Sequence, residues 1–116
     1  MNELPPPSLG IGRDKDIVTV EISFSFGAES ARVFSILGDE GQWPEELPVR
    51  ILKRQPHRKL IVALPDFTRA ELAIQPTPEG CEIVLLHDLI KSADDAKEYR
   101  KSWNEWFSQI ENRVSL

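Results

Sequence analysis

The sequence predicts an α+β domain: an antiparallel sheet of about five strands packed against one long C-terminal helix, with a short helix after the first strand. Three observations predict it. Val18, Val20, Ile22, Phe24 and Phe26 alternate with Thr19, Glu21, Ser23 and Ser25. Period two puts all five apolar residues on one face and leaves the other polar, the pattern of a sheet covered on one side. Ala96, Tyr99, Trp103, Trp106, Phe107, Ile110 and Val114 recur at spacings of three and four, as one face of a helix does. Between these segments, prolines and glycines cut the chain into strand-length pieces.

The elements follow in order. Residues 1–16, with Pro5, Pro6 and Pro7, read as a flexible arm preceding a domain over 17–116. Three prolines can also form a short polyproline II segment of the kind an aromatic groove reads. The first strand covers 17–26 and ends at Gly27. A short helix covers 29–37, with Val33, Phe34 and Leu37 on one side and Gly38 as its stop. Pro44 and Pro48 exclude a long helix over 39–48, which carries Asp39, Glu40, Glu45, Glu46 and Trp43. A weakly patterned strand is expected at 49–55. The run 60–64 is apolar on both parities, which predicts a strand covered on both faces. Residues 68–75 alternate cleanly, with Ala70, Leu72 and Ile74 on one face. Pro56-His57, Pro65-Asp66 and residues 76–80 mark turns, and 81–90 form the last strand. Ser92 followed by Asp95 reads as the cap of the final helix, 93–113, about 31 Å long. The first strand would run about 33 Å, so the two match in length.

Composition narrows the function. A chain of 116 residues fits one domain, and its 41% hydrophobic and 28% charged content is that of a globular protein. A net charge of −5 disfavours nucleic acid, because neutralising phosphates needs positive surface. Cys81 stands alone, so no intrachain disulfide forms, and residues 1–9 lack the basic and apolar regions of a secretory signal. No apolar run approaches the ~20 residues of a membrane span. These features point to a cytoplasmic protein without a membrane or nucleic-acid partner.

The order of elements carries a resemblance. "VTVEISFSFGAESARVFSIL" resembles the opening strand and helix of the START-like, polyketide-cyclase/SRPBCC superfamily, and most of all the homologues of the activator of the 90-kDa heat-shock-protein ATPase. Trp43 sits where that family often has a tryptophan. "TRAELAIQPTPEGCEIVLLHDLI" is similar to its last two strands, and "YRKSWNEWFSQIENRV" to its closing helix, with Ser102-Trp103 in place of a common Gly-Trp pair. The resemblance covers most of 17–114. It implies a helix-grip fold, in which a sheet wraps the final helix and often leaves a hydrophobic cavity. Between Trp43 and Thr68 the family usually has more strands, including a Gly-rich hairpin; this chain has room for two, so its sheet is expected to be smaller.

The residues offer little chemistry. His57 lies in a basic turn and reads as solvated. His87 shares strand parity with Ile83, Leu85 and Leu89 and reads as a half-buried histidine with a polar contact. It cannot pair with Asp88, which points to the opposite face. Cys81 reads as a buried core thiol. Two histidines and one cysteine make no metal cluster, and no phosphate loop is present, so no catalytic residue, metal or cofactor is expected. The acidic run 39–46 followed by Arg50, Lys53, Arg54, Arg58 and Lys59 could orient a partner, or be a solvated face.

Two functional expectations result. In the first, Phe24, Trp43, Leu72, Leu85, Tyr99, Trp103 and Phe107 line a site for a hydrophobic small molecule between sheet and helix. In the second, the same aromatics simply pack as core, and the domain is a protein-interaction or co-chaperone-like module, with exposed sheet edges available for a homodimer.

Overall fold

The computed structural model describes residues 17–115; the expected arm, 1–16, lies outside them. Strand β1 is Val18–Phe26, helix α1 Ser30–Leu37, then a 3₁₀ turn Glu40–Gln42, strands β2 Arg50–Gln55, β3 Lys59–Ala63, β4 Arg69–Thr77 and β5 Gly80–Ile90, and helix α2 Ala93–Val114. The five strands form one antiparallel sheet in the order β1-β5-β4-β3-β2. The α+β architecture read from the sequence is therefore present. Because β1 and β2 occupy opposite edges, α1 and the loop after it carry the chain across the sheet.

Alternation decides which side of the sheet is dry. Val20, Ile22, Phe26, Leu60, Val62, Ala70, Leu72, Ile74, Ile83 and Leu85 all point inward and are buried. Helix α2 covers them with Trp103, Trp106, Phe107 and Ile110, each buried as well. Helix α1 adds Val33, Phe34 and Leu37. Ser92 caps α2 as expected, its Oγ accepting from the Asp95 backbone N–H at 3.0 Å. Asp94 and Asp95 in the first turn and Arg113 in the last complement the helix dipole.

Two expectations change. Strand β3 is interior to the sheet but covered on one face only: Leu60 and Val62 are buried, whereas Ile61 and Ala63 remain half-exposed on the outer face. The apolar run was misleading because Ile61 belongs to an outward apolar surface rather than to a second core. Pro76 is also not part of a turn. It pairs with Cys81 inside β4, and the turn falls at Pro78-Glu79. The backbone N–H of Ile74, two residues earlier, reaches the Arg58 carbonyl at 2.8 Å on the β3 side. Pro76 faces the same side, beyond the last β3–β4 pair at Lys59–Ala73, so its missing N–H interrupts no ladder.

The acidic loop and the basic strand meet each other. Glu40 Oε2 accepts the Ile51 backbone N–H at 2.7 Å, and Arg54 Nε donates to the Gly38 carbonyl at 3.0 Å. Part of the charge contrast seen in the sequence thus fastens the loop to edge strand β2. At the other edge, α2 reaches β1 through Arg100, which donates to the Glu21 carbonyl at 3.3 Å, and Glu111 accepts the Gly27 N–H just past the strand at 3.3 Å.

Gly80, which opens β5, is the position least able to carry a side chain. A Cβ there would fall on the Phe26 carbonyl and lie 2.7 Å from the Ala28 backbone, which cannot give way locally. Gly80→Ala is expected to destabilise the domain by about 2 kcal/mol or more in urea unfolding. Gly27→Ala, whose Cβ would come no closer than 3.9 Å to the Glu111 carboxylate, should stay within about 0.5 kcal/mol of the parent.

Candidate functional site

The seven residues expected to line a ligand site are brought together, but against one another. Trp103 meets Trp43 edge-on at 5.6 Å and Phe107 at 5.8 Å between ring centroids. Phe107 meets Phe24 at 5.5 Å and Phe26 at 6.2 Å. Leu72, Leu85, Trp103 and Phe107 are fully buried. Trp43, almost buried, donates its indole N–H to the Leu37 carbonyl at 2.9 Å. Phe24 and Tyr99 are partly buried at the margin of the core. Four surface depressions among the described residues lie at the outer sheet face, beside the β3–β4 turn, near Gly27 and along α2, and none of these four is lined by any of the seven.

The polar chemistry gathers at one end of this core, around His87. Sequence reasoning expected it half-buried with one polar contact; it is fully buried with two. The Trp103 indole N–H donates to His87 Nδ1 at 3.0 Å. That leaves the ring proton on Nε2, which lies 2.7 Å from Thr68 Oγ1 and donates to it. The Thr68 hydroxyl in turn donates to Asp66 Oδ1 at 2.7 Å, and the Thr68 backbone N–H reaches the same oxygen at 3.1 Å. Tyr99 donates its phenol to Asp66 Oδ2 at 2.6 Å. Two lines of donors from helix α2 therefore converge on the Asp66 carboxylate in the β3–β4 turn, one from Trp103 through His87 and Thr68, the other directly from Tyr99.

The directions decide what this group can do. Burial holds the His87 imidazole down to a pKa of about 4, despite the attraction of Asp66 and Asp88. A neutral ring whose Nε2 already donates cannot accept the Thr68 proton, so the arrangement does not build a nucleophile. Burial acts to raise the Asp66 carboxyl, but the donors Tyr99 and Thr68 outweigh it and hold the group below its ordinary value. Burial and the adjoining Asp66 push the Tyr99 phenol up to about 12. The network is a brace: it ties a turn to the core. Burial likewise pushes the Cys81 thiol up, away from reactivity. Among the described residues no cluster of three metal-ligating side chains occurs.

What the brace holds in place is Phe67. The turn Leu64–Phe67 is closed by Phe67 N–H to the Leu64 carbonyl at 3.0 Å, and the hairpin by Leu64 N–H to the Thr68 carbonyl at 3.0 Å. Phe67 takes φ +69°, a left-handed conformation that suits glycine or asparagine, and is 87% exposed. Beside it lies a depression of about 410 Å³ lined by residues including Pro48, Arg50, Leu64, Pro65 and Arg69. Arg69 also borders a second depression of about 340 Å³ on the outer face, with Ile61, Leu86 and Leu89. The sequence marks the Pro65-Asp66 turn and Arg50 but does not single out Phe67. The available signal was Pro65-Asp66-Phe67-Thr68: an Asx-type turn with an aromatic in the slot where glycine is usual.

The titration of His87 has a stability consequence. Its folded pKa of about 4 lies below the ordinary 6.5, so the folded state binds fewer protons between these values. Stability is expected to be fully present above pH 6.5 and to fall by up to about 3 kcal/mol as pH drops through 4. Urea unfolding at a series of pH values measures this. In His87→Gln the slope between pH 6.5 and 4 should flatten, the loss at lower pH from Asp66 remaining.

No protein-family model matches the chain, and no curated protein does. Solved structures do. The Aha1 dimer from Colwellia psychrerythraea superposes with a TM-score of 0.70 at 8% identity, over 84% of this chain and 96% of that one. An AHSA1-like protein from Aeromonas hydrophila gives 0.67 at 10% identity, over 84% and 92%. Protein CV1439 from Chromobacterium violaceum gives 0.67 at 13% identity, over 84% and 98%. At such identities the likeness concerns the fold alone: this chain has the fold of Aha1 and an AHSA1-like protein.

Proposed function

We propose that this domain is a protein-binding module that works through its surface, with Phe67 at the centre of the contact. The observation that carries the reading is a bulky aromatic held 87% exposed in a left-handed backbone conformation by a fully bonded polar brace. An isolated exposed apolar side chain needs no explanation. A strained one does: φ near +69° costs a non-glycine residue on the order of 1 kcal/mol or more. The side chain gains nothing from burial in return, so the folded domain is less stable for carrying it. Aromatic anchors of this kind dominate protein interfaces, and a rigid mount lowers the entropy lost on binding.

The competing reading, a hydrophobic ligand held by Phe24, Trp43, Leu72, Leu85, Tyr99, Trp103 and Phe107, would need those side chains to part. Their mutual ring contacts and burial favour the interaction reading. Pairing with a second copy is one form the interaction can take, as in the Aha1 dimer of Colwellia. No described helix is long and apolar enough to cross a membrane, and a cytoplasmic setting, suggested by the lone Cys81, belongs to this proposal.

Phe67→Gly separates stability from function. The substitution relieves the backbone strain and is expected to raise stability by about 1 kcal/mol, read as a higher Tm. The same variant should lose, by at least about tenfold, the proteins that the parent captures from its native extract. Undiminished capture would overturn the reading. Titration with fatty acids and aromatic compounds should leave the tryptophan fluorescence unchanged; a saturable shift would restore the ligand site.

A further inference from the structure

Of the five exposed large apolar side chains among the described residues, Leu52 stands apart on edge strand β2, whereas Phe67, Leu86 at 43%, Leu89 at 48% and Ile17 at 50% exposure belong to one end of the sheet. The register shows this: Val18 pairs with Ile90, and Arg69 pairs with Asp88, so the start of β1, the end of β5 and the start of β4 lie side by side. Ile17 shares the outward parity of Thr19 and Glu21, on the face that Leu86 also takes. Leu89 is pushed out by an irregularity in the β1–β5 pairing and, like Phe67, has a left-handed backbone, φ +67°. The two depressions that Arg69 borders lie on this surface.

Ile17 is also where residues 1–16 join the fold. Residues 4–12 carry no charge, and Leu4, Pro5, Pro6, Pro7, Leu9 and Ile11 are six apolar residues within eight. Charge returns only at Arg13, Asp14, Lys15 and Asp16, the link to β1. From Ile17 to Phe67 the path crosses two strand spacings, about 10 Å. Sixteen extended residues reach about 50 Å, so residues 4–11 span the patch with length to spare. Consecutive prolines favour an extended polyproline II form and lose little entropy on docking, and aromatic side chains are their usual seat. A tether this short gives an effective concentration in the millimolar range, enough to populate a weak contact.

We infer that residues 4–11 of this chain dock on the apolar end of its own sheet, over Leu89, Leu86 and Phe67. The docking itself needs no partner, so it stands or falls separately from the reading above.

The test uses the full chain with a nitroxide on Ser8→Cys; Cys81 is buried and escapes labelling. Amide signals of Phe67, Leu86 and Leu89 should be broadened and should recover on reduction, while Thr77 and Gly80 at the opposite end of β4–β5 keep theirs. Adding Leu9→Ser and Ile11→Ser should abolish the broadening at Phe67 and Leu86 but not at Ile17 and Leu89, which lie beside the point of attachment. Broadening confined to the neighbours of Ile17 in the parent itself would overturn the inference. So would broadening seen only when spin-labelled and isotope-labelled chains are mixed, which would assign the seat to the arm of a second copy.

Discussion

The hydrogen bond from the Trp103 indole to His87 Nδ1 is the constraint on which the rest of the structure turns. It fixes the imidazole tautomer, and so decides that Nε2 donates to Thr68. It also fixes the rotation of α2 about its own axis. With Trp103 facing β5, Tyr99 one turn earlier falls beside the imidazole, 4.3 Å between ring centroids, and within reach of Asp66. Phe107, one turn later, falls between Phe24 and Phe26. Ile110 and Val114 continue the same stripe. A helix held only by apolar contact could roll by some degrees at little cost; one donor meeting one buried acceptor cannot.

The same helix face explains how a small sheet is sealed. Trp103, Trp106 and Trp43 bring large rigid rings to the centre of a domain with only five strands. Trp106 is further covered by the Arg113 guanidinium, 5.3 Å from the ring, and that side chain donates on to Gln42 at 2.9 Å. The 3₁₀ turn carrying Gln42 therefore acts as a flap over the indoles, set by Asp39 accepting the Gly41 N–H at 3.0 Å. Space that more strands would enclose is filled by side chains.

Much of this was legible in the sequence, and the reasons are local. The β1 alternation and the α2 spacing are long, strong periodic signals, and both elements form within a few residues of their expected bounds. The resemblance in element order added the fold, which the structure bears out. What failed to show was whatever depends on register. Whether Ile61 meets a second core or open surface depends on what covers the outer face, which no window of residues reveals. Pro76 reads as a turn because only the staggered end of β3 makes a strand proline harmless. The His87 brace joins residues 66, 68, 87, 99 and 103, brought together by the β4–β5 pairing and the helix rotation. From the sequence His87 was one polar residue on an apolar face, and Asp66 one turn residue.

The places where local rules are broken carry the most information about use. Phe67, Leu89 and His57 adopt left-handed backbone conformations, and none is glycine or asparagine. His57 has a local outlet, its ring meeting Phe34 edge-on at 5.9 Å. Phe67 and Leu89 are apolar and exposed, and both follow an aspartate that pins the backbone beside them. Asp66 holds the Thr68 N–H, and Asp88 holds the Leu89 N–H at 2.8 Å while accepting the Thr19 hydroxyl at 2.9 Å. Two separate devices thus force two apolar side chains outward at one end of one sheet. Strain of this kind persists only when surrounding bonds impose it. Neither side chain adds to the core, so stability alone would favour glycine at both positions. The bonds that impose the strain are better explained by what the two side chains touch outside the fold than by anything they do within it.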